Sequence, residues 1–232
     1  MRILIVVAHP DDLDFGCAGS TAQWVRKGHE VIYGFVTSGQ AGGFDATVSR
    51  DEMAEIRQKE QTAAAAVLGV TELHFLGFAD GQVEATLDLR RALARLIRQT
   101  KPDRVVTQSP ERNLKRIYPS HPDHLAVGEA TLCAVYPDAR NEFAFPELLA
   151  DEGLEPHSVP EVLIMGGPEP DQFIDITETI ELKIEALLCH ETQMQRPEAM
   201  PERIREWASD TAEAAGFEPG RLAEAFRLVN TA

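Results

Sequence analysis

Ile3 to Ala8 reads Ile-Leu-Ile-Val-Val-Ala, an apolar run rich in β-branched side chains with no polar residue alternating through it. A strand with one wet face would alternate, so an uninterrupted run predicts a strand covered on both faces, as in a parallel sheet layered between helices. The following residues repeat that logic. A helix is expected from about Gly19 to Lys27, with Ala22 and Val25 turned inward and Gly28 as its stop, and then a strand from Val31 to Thr37. Ser49 is placed to cap a long helix from Arg50 to Leu68, whose inner positions are mainly Met53, Ile56, Ala64 and Val67, and Gly69 ends it. Glu72 to Leu76 returns to a strand. After the turn Ala79-Asp80-Gly81, Leu89, Leu93, Leu96 and Ile97 fall at helical spacing within Leu87 to Gln99, and Arg104 to Thr107 is a further strand. Alternation of this kind implies an α/β fold with a mostly parallel sheet and right-handed crossovers, and ligands then sit at the carboxyl ends of the strands.

The segment from Tyr136 to Pro160 is rich in Pro, Asp and Glu and reads as an irregular surface insertion. Val162 to Met165 and Phe173 to Ile176 read as late edge strands. Thr177 reads as the cap of a helix running to about His190, and Glu202 to Ala215 and Leu222 to Val229 read as closing helices. No repeat, low-complexity tract or linker divides the chain, so a single domain over residues 1–232 is expected.

Charge and cysteine content narrow the partners. Lys plus Arg is 22 against 38 for Asp plus Glu, a formal charge of −16 that repels phosphate backbones and anionic lipid, so neither nucleic acid nor membrane is an expected partner. The opening apolar run is too short for a signal peptide, and no stretch approaches a membrane span. Cys17, Cys133 and Cys189 lie far apart, which writes neither a disulfide framework nor a thiolate metal knuckle and fits a reducing cytoplasm.

The chemistry-bearing residues gather behind two of these strands. The first strand ends directly in His9-Pro10-Asp11-Asp12, and the loop after Arg104 to Thr107 leads to His121-Pro122-Asp123-His124. Each half alone has a bland reading. The first is a turn with a helix-capping aspartate, and the second is a helix start with Pro in its first position and Asp in its first turn. Together, each at the carboxyl end of a parallel strand, they supply the N and O ligands that a catalytic zinc site draws from separate loops while leaving a position open for water. His9, Asp12 and His124 meet that count. Asp11 and His121 would remain for proton transfer and for stabilising developing charge, although residue chemistry alone does not tell Asp11 from Asp12.

With both motifs in hand, the chain resembles the LmbE-like (PIG-L) family of zinc-dependent N-acetylglucosaminyl deacetylases. Thr37 to Gly43, Arg57-Gln58-Lys59-Glu60, Leu76 to Gly81 and Asp175-Ile176-Thr177 stand where that family has similar segments, so the likeness covers nearly the whole chain. The resemblance implies a Rossmann-like three-layer sandwich. It also implies a hydrolase that removes the acetyl group from an N-acetylglucosamine-type sugar or its conjugate. Its metal would be Zn2+, with Fe2+ or Co2+ able to serve in the same ligands, and relatives often form homo-oligomers. By motif position it makes His9, Asp12 and His124 the metal ligands and Asp11 the general base. It makes His121 the group that stabilises the oxyanion or protonates the amine, with Asp123 orienting that imidazole. Arg57 would point toward substrate, against the plainer reading of an i,i+3 surface pair with Glu60. The chain departs from the family at Leu13, where many relatives carry Glu, and at Thr192 in His190-Glu191-Thr192-Gln193, where Ser is usual. Two rival readings are a nucleotide-binding Rossmann-like protein, which would need a glycine-rich first turn that is missing here, and a non-catalytic metal-binding protein, which would not need Asp11.

Overall fold

The computed structural model describes residues 1–232. The chain runs β1 (Arg2–Val7), α1 (Asp12–Arg26), β2 (Glu30–Thr37), α2 (Arg50–Leu68), β3 (Glu72–Phe78), α3 (Leu87–Thr100), β4 (Arg104–Gln108), α4 (Pro122–Cys133), α5 (Glu147–Ala150), β5 (Glu161–Met165), β6 (Gln172–Asp175), α6 (Ile180–Leu188), α7 (Met200–Ala214) and β7 (Ala223–Asn230). The seven strands form one sheet in the order β3-β2-β1-β4-β5-β7-β6. β1 to β5 pair in parallel, and β7 is antiparallel to both β5 and β6.

The period of two along β1 explains the layers. Leu4, Val6 and Ala8 enter one core with Leu89, Leu93 and Ala94 of α3 and Val127 and Ala130 of α4. Ile3, Ile5 and Val7 enter the other core with Ala18 and Ala22 of α1, Ala64 and Ala65 of α2 and Ala186 of α6. Both faces of the strand are therefore dry, as its unbroken apolar run requires. Ser49 caps α2 in a reciprocal capping box with Glu52, and Gly69 closes that helix at φ +78°. Arg98, fully buried on α3, donates to the carbonyls of Asp138, Ala139, Asn141 and Ala144 and so ties down the Pro-rich insertion.

The last third of the sequence departs most from expectation. Leu222 to Val229, expected as helix, lies within β7 apart from its first residue. Its Ala, Glu, Leu and Arg residues favour helix locally, but the segment fills the slot between β5 and β6, and the ladder there outweighs propensity. β5 is consequently an interior strand, and of the two late strands expected at an edge only β6 lies at one. α1 begins at Asp12 rather than Gly19 and breaks at Cys17, where φ is −150°. The N–H groups of Gly19 and Ser20 beyond the break are taken by the carboxylate of Glu224, at 3.0 and 2.8 Å. Thr177 binds Asp175, and the N-cap position of α6 belongs to Thr179. No helix is long and apolar enough to cross a membrane.

The position of the site follows from strand order. From β1 the chain crosses to β2 on one side, and from β4 it crosses to β5 on the other, so the connections diverge between two adjacent strands. A crevice at the carboxyl edge results, and both His-Pro-Asp motifs open into it.

Candidate active site

Beyond β1 the backbone is held before any chemistry is added. Ala8 donates its N–H to the side-chain carbonyl of Gln108 at the end of β4, and its carbonyl accepts from both the N–H and hydroxyl of Thr37 at the end of β2. Asp11 then adopts a left-handed conformation, φ +81°, unusual for a residue with a Cβ. It occupies the N-cap position of α1 but makes no side-chain cap, so its carboxylate is released from helix duty and turns to Arg57, 3.2 Å away. Gly128 lets α4 approach closely, because a Cβ there would lie 2.3 Å from the carbonyl oxygen of Gln108. That contact seats the amino end of α4, with His121 as its N-cap, against the end of β4.

Three side chains converge in the crevice. His9 Nδ1 lies 3.3 Å from Asp12 Oδ2, His124 Nε2 lies 3.0 Å from Asp12 Oδ1, and the two imidazole nitrogens are 3.3 Å apart. The opposite nitrogen of each ring fixes its proton. His9 Nε2 faces Asp80 Oδ1 and Asp123 Oδ2, each at 3.0 Å, so the hydrogen belongs on Nε2. His124 Nδ1 donates to the carbonyl of Pro119 at 3.1 Å, leaving Nε2 bare. In these tautomers two imidazole lone pairs and a carboxylate point at one another, an arrangement that a proton or a metal cation among them stabilises.

The residues present fit a divalent metal. A tetrahedral set with bonds of about 2.0–2.1 Å has ligand atoms roughly 3.3 Å apart, close to the separations found here. Carboxylates bound behind a ligating imidazole are the usual means of fixing its orientation. With protons as the only cations, burial opposes charge on His9, but Asp12, Asp123 and Asp80 outweigh it and push its pKa up to about 12. Burial would also raise Asp12, yet His124 and His9 hold it well below the ordinary carboxylate range. Asp11 is different. Burial raises its pKa to about 6, with Arg57 pulling down and Asp12 pushing up. Two other groups, His9, His121 and His124 and also His9, Asp80 and Asp123, bring their ligand atoms within 4.8 Å of one another. His121, however, already uses Nδ1 to accept the backbone N–H of Asp123 at 3.2 Å. Its pKa is lowered by burial and by the neighbouring imidazoles.

Two expected roles look different in place. The Asp123 carboxylate sits on His9 and on the N–H groups of Gly81 and Val83, and only its backbone reaches His121. Arg57 is 4% exposed. Its guanidinium donates to the carbonyls of Gly39 and Pro10 and pairs with Asp11, so it braces the turn that carries Asp11. The i,i+3 pair with Glu60 is not formed, since Glu60 accepts from the backbone and hydroxyl of Thr192. Gly39 makes room for this brace, because a Cβ there would lie 2.2 Å from Arg57 Nη1. In the sequence Asp80 stands in the turn Ala79-Asp80-Gly81 and in the family-like segment Leu76 to Gly81, with no role attached. Its place just past the carboxyl end of β3 is the available signal, because both His-Pro-Asp motifs lie at that edge.

The sequence profile of the family described as GlcNAc-PI de-N-acetylase (PIG-L) matches residues 4–135. The chain is 32% identical over 229 residues to a diacetylchitobiose deacetylase of Thermococcus kodakarensis, covering 98% of this chain and 83% of that protein. It is 29% identical over 199 residues to a probable N-acetyl-alpha-D-glucosaminyl L-malate deacetylase 2 of Bacillus subtilis, covering 84% of each. Among solved structures, the N,N'-diacetylchitobiose deacetylase from Pyrococcus horikoshii, complexed with an inhibitor, superposes with a TM-score of 0.89 at 30% identity, over 99% of this chain and 84% of that one.

Proposed function

The chain belongs to the GlcNAc-PI de-N-acetylase (PIG-L) family, and on that premise we propose that it hydrolyses the acetamide of a small N-acetylglucosamine-type sugar or conjugate at a divalent metal held by His9, Asp12 and His124. The observation that carries the metal half of this reading is the convergence of His9 Nδ1, His124 Nε2 and the Asp12 carboxylate at 3.0–3.3 Å. The substrate half is supported by the relatives' activities. A bound divalent cation such as zinc supplies Lewis-acid polarisation of the carbonyl and lowers the pKa of water.

The chain's own groups do the rest. Asp80 and Asp123 hold His9, and the Pro119 carbonyl holds His124, so each ligand is oriented before substrate arrives. Asp11 accepts the proton of the attacking water and later returns it to the departing nitrogen, releasing acetate and a free amine. His121 accepts a backbone N–H at Nδ1, which leaves its hydrogen on Nε2, ready to be donated to the oxyanion as it forms. Arg57 neutralises Asp11 from behind without entering the substrate space.

The test is a panel of N-acetylglucosamine, N,N'-diacetylchitobiose and N-acetylglucosaminyl malate, assayed for released amine with zinc-replete and chelated protein. Amine release from one or more of them, abolished by chelator and restored by zinc, is expected. Activity indifferent to chelation overturns the metal reading, and a metal-loaded protein inert on the whole panel overturns the substrate class.

A further inference from the structure

Behind Asp11 lies a second polar layer that the proposed reaction does not use. Asp14, on the first turn of α1, and His190, just beyond α6, have fully buried side chains with His190 Nε2 2.8 Å from Asp14 Oδ2. Gln61 of α2, also fully buried, donates to the same oxygen at 2.9 Å and turns its carbonyl to the backbone N–H of Asp11 at 2.8 Å. Asp14 Oδ1 and His190 Nδ1 have no partner at all. Burying polar atoms unpaired costs stability, so a cluster kept for packing alone would be better replaced by apolar side chains. This one touches the residue that needs help. Asp11 is a non-glycine residue at φ +81°, and its backbone N–H is held by the Gln61 side chain.

Resting on the deacetylase reading above, we infer that His190 is a positioning residue: through Asp14 and Gln61 it locks the strained Asp11 backbone so that the carboxylate faces the crevice. The order of the contacts matters. The Gln61 amide has two ends, and Asp14 fixes which end faces Asp11 by accepting from the nitrogen. His190 in turn holds Asp14. The same segment continues into Thr192, which grips Glu60 one residue before Gln61, so the stretch after α6 fastens α2 to the start of α1.

The test compares His190→Leu, His190→Gln, Gln61→Met and the His190→Leu/Gln61→Met double variant, with N,N'-diacetylchitobiose as substrate and hydrogen exchange of the Asp11 amide as a readout independent of activity. His190→Leu and Gln61→Met are each expected to lower kcat about tenfold, the worth of one hydrogen bond, with KM and zinc stoichiometry unchanged. The double variant should be no worse than the poorer single, because both act through one chain of contacts. Asp11 amide exchange should quicken in both. His190→Gln, whose amide nitrogen stands where Nε2 stood, should restore most of the rate. Additive losses, or an unchanged Asp11 amide, would overturn the inference. Should His190→Leu not fold, Gln61→Met decides alone: unchanged exchange and unchanged kcat are contrary results. Wild-type protein inert on every substrate would count against the deacetylase reading, while the exchange arm still judges the positioning.

Discussion

Lys183 and Glu224 meet 2.6 Å apart between α6 and β7, both almost wholly buried. His9, Asp12 and His124 meet at similar distances in the crevice. In the first cluster one cation meets one anion, and the remaining capacity goes to backbone: Lys183 donates to the Phe15 carbonyl, and Glu224 accepts from Gly19 and Ser20. Nothing further is required there. The crevice gathers two imidazoles around one carboxylate, with the carboxylates of Asp80 and Asp123 behind His9. Two buried polar clusters of like size therefore differ in whether they are complete. The complete one repairs a broken helix, and the other has the donor set of a cation site.

The largest contrast is expected from Asp11→Asn, which keeps size and polarity but cannot take a proton. kcat should fall by roughly 10²–10⁴-fold while metal content stays the same, read by steady-state kinetics beside elemental analysis. Loss of the metal with the activity would place Asp11 among the ligands. Breaking the complete cluster should do the opposite. Lys183→Met strands the Glu224 carboxylate, so urea unfolding should show a loss of about 3–5 kcal/mol, with kcat per folded molecule unaltered. An unchanged unfolding midpoint would mean that Glu224 finds another partner. Adding Glu224→Gln to Lys183→Met should recover part of the loss, since the uncompensated charge is then gone.

Smaller effects probe the support of the incomplete cluster. Asp123→Asn or Asp80→Asn should weaken metal affinity by about 10–100-fold, measured by competition with a chelating dye, because His9 loses one of the carboxylates that orient it. No change in affinity would leave those carboxylates without a role in holding the metal. Arg57→Met should lower kcat by roughly tenfold or more, the worth of a charged hydrogen bond, with little effect on KM. A change confined to KM would instead return Arg57 to contact with substrate.

The comparison also explains what could be read before the fold was known. His9, Asp12, His121 and His124 announce themselves because each motif is contiguous and follows a recognisable strand. Their pairings do not. Asp123 grips His9 across 114 positions, His190 grips Asp14 across 176, and Gln61 reaches Asp11 across 50. Such pairings depend on sheet order, which local spacing does not carry. The same limit accounts for β7. Ala223-Glu224-Ala225-Phe226 has good helix formers, and nothing nearby reveals that β5 and β6 leave a strand-wide gap for it. The Ser49 cap and the Gly69 stop of α2 were legible because their partners lie within a turn of the helix.

Zinc binding to chelator-stripped protein, followed by equilibrium dialysis for the wild type, Asp11→Asn and Asp12→Asn, bears most directly on the central claim that this crevice is completed by a cation. The account predicts about one zinc per chain for the wild type and for Asp11→Asn, with Asp12→Asn binding far more weakly because a neutral amide replaces the anionic ligand. Wild-type protein that takes up no zinc, or an Asp12→Asn variant that binds as tightly as the wild type, would contradict it.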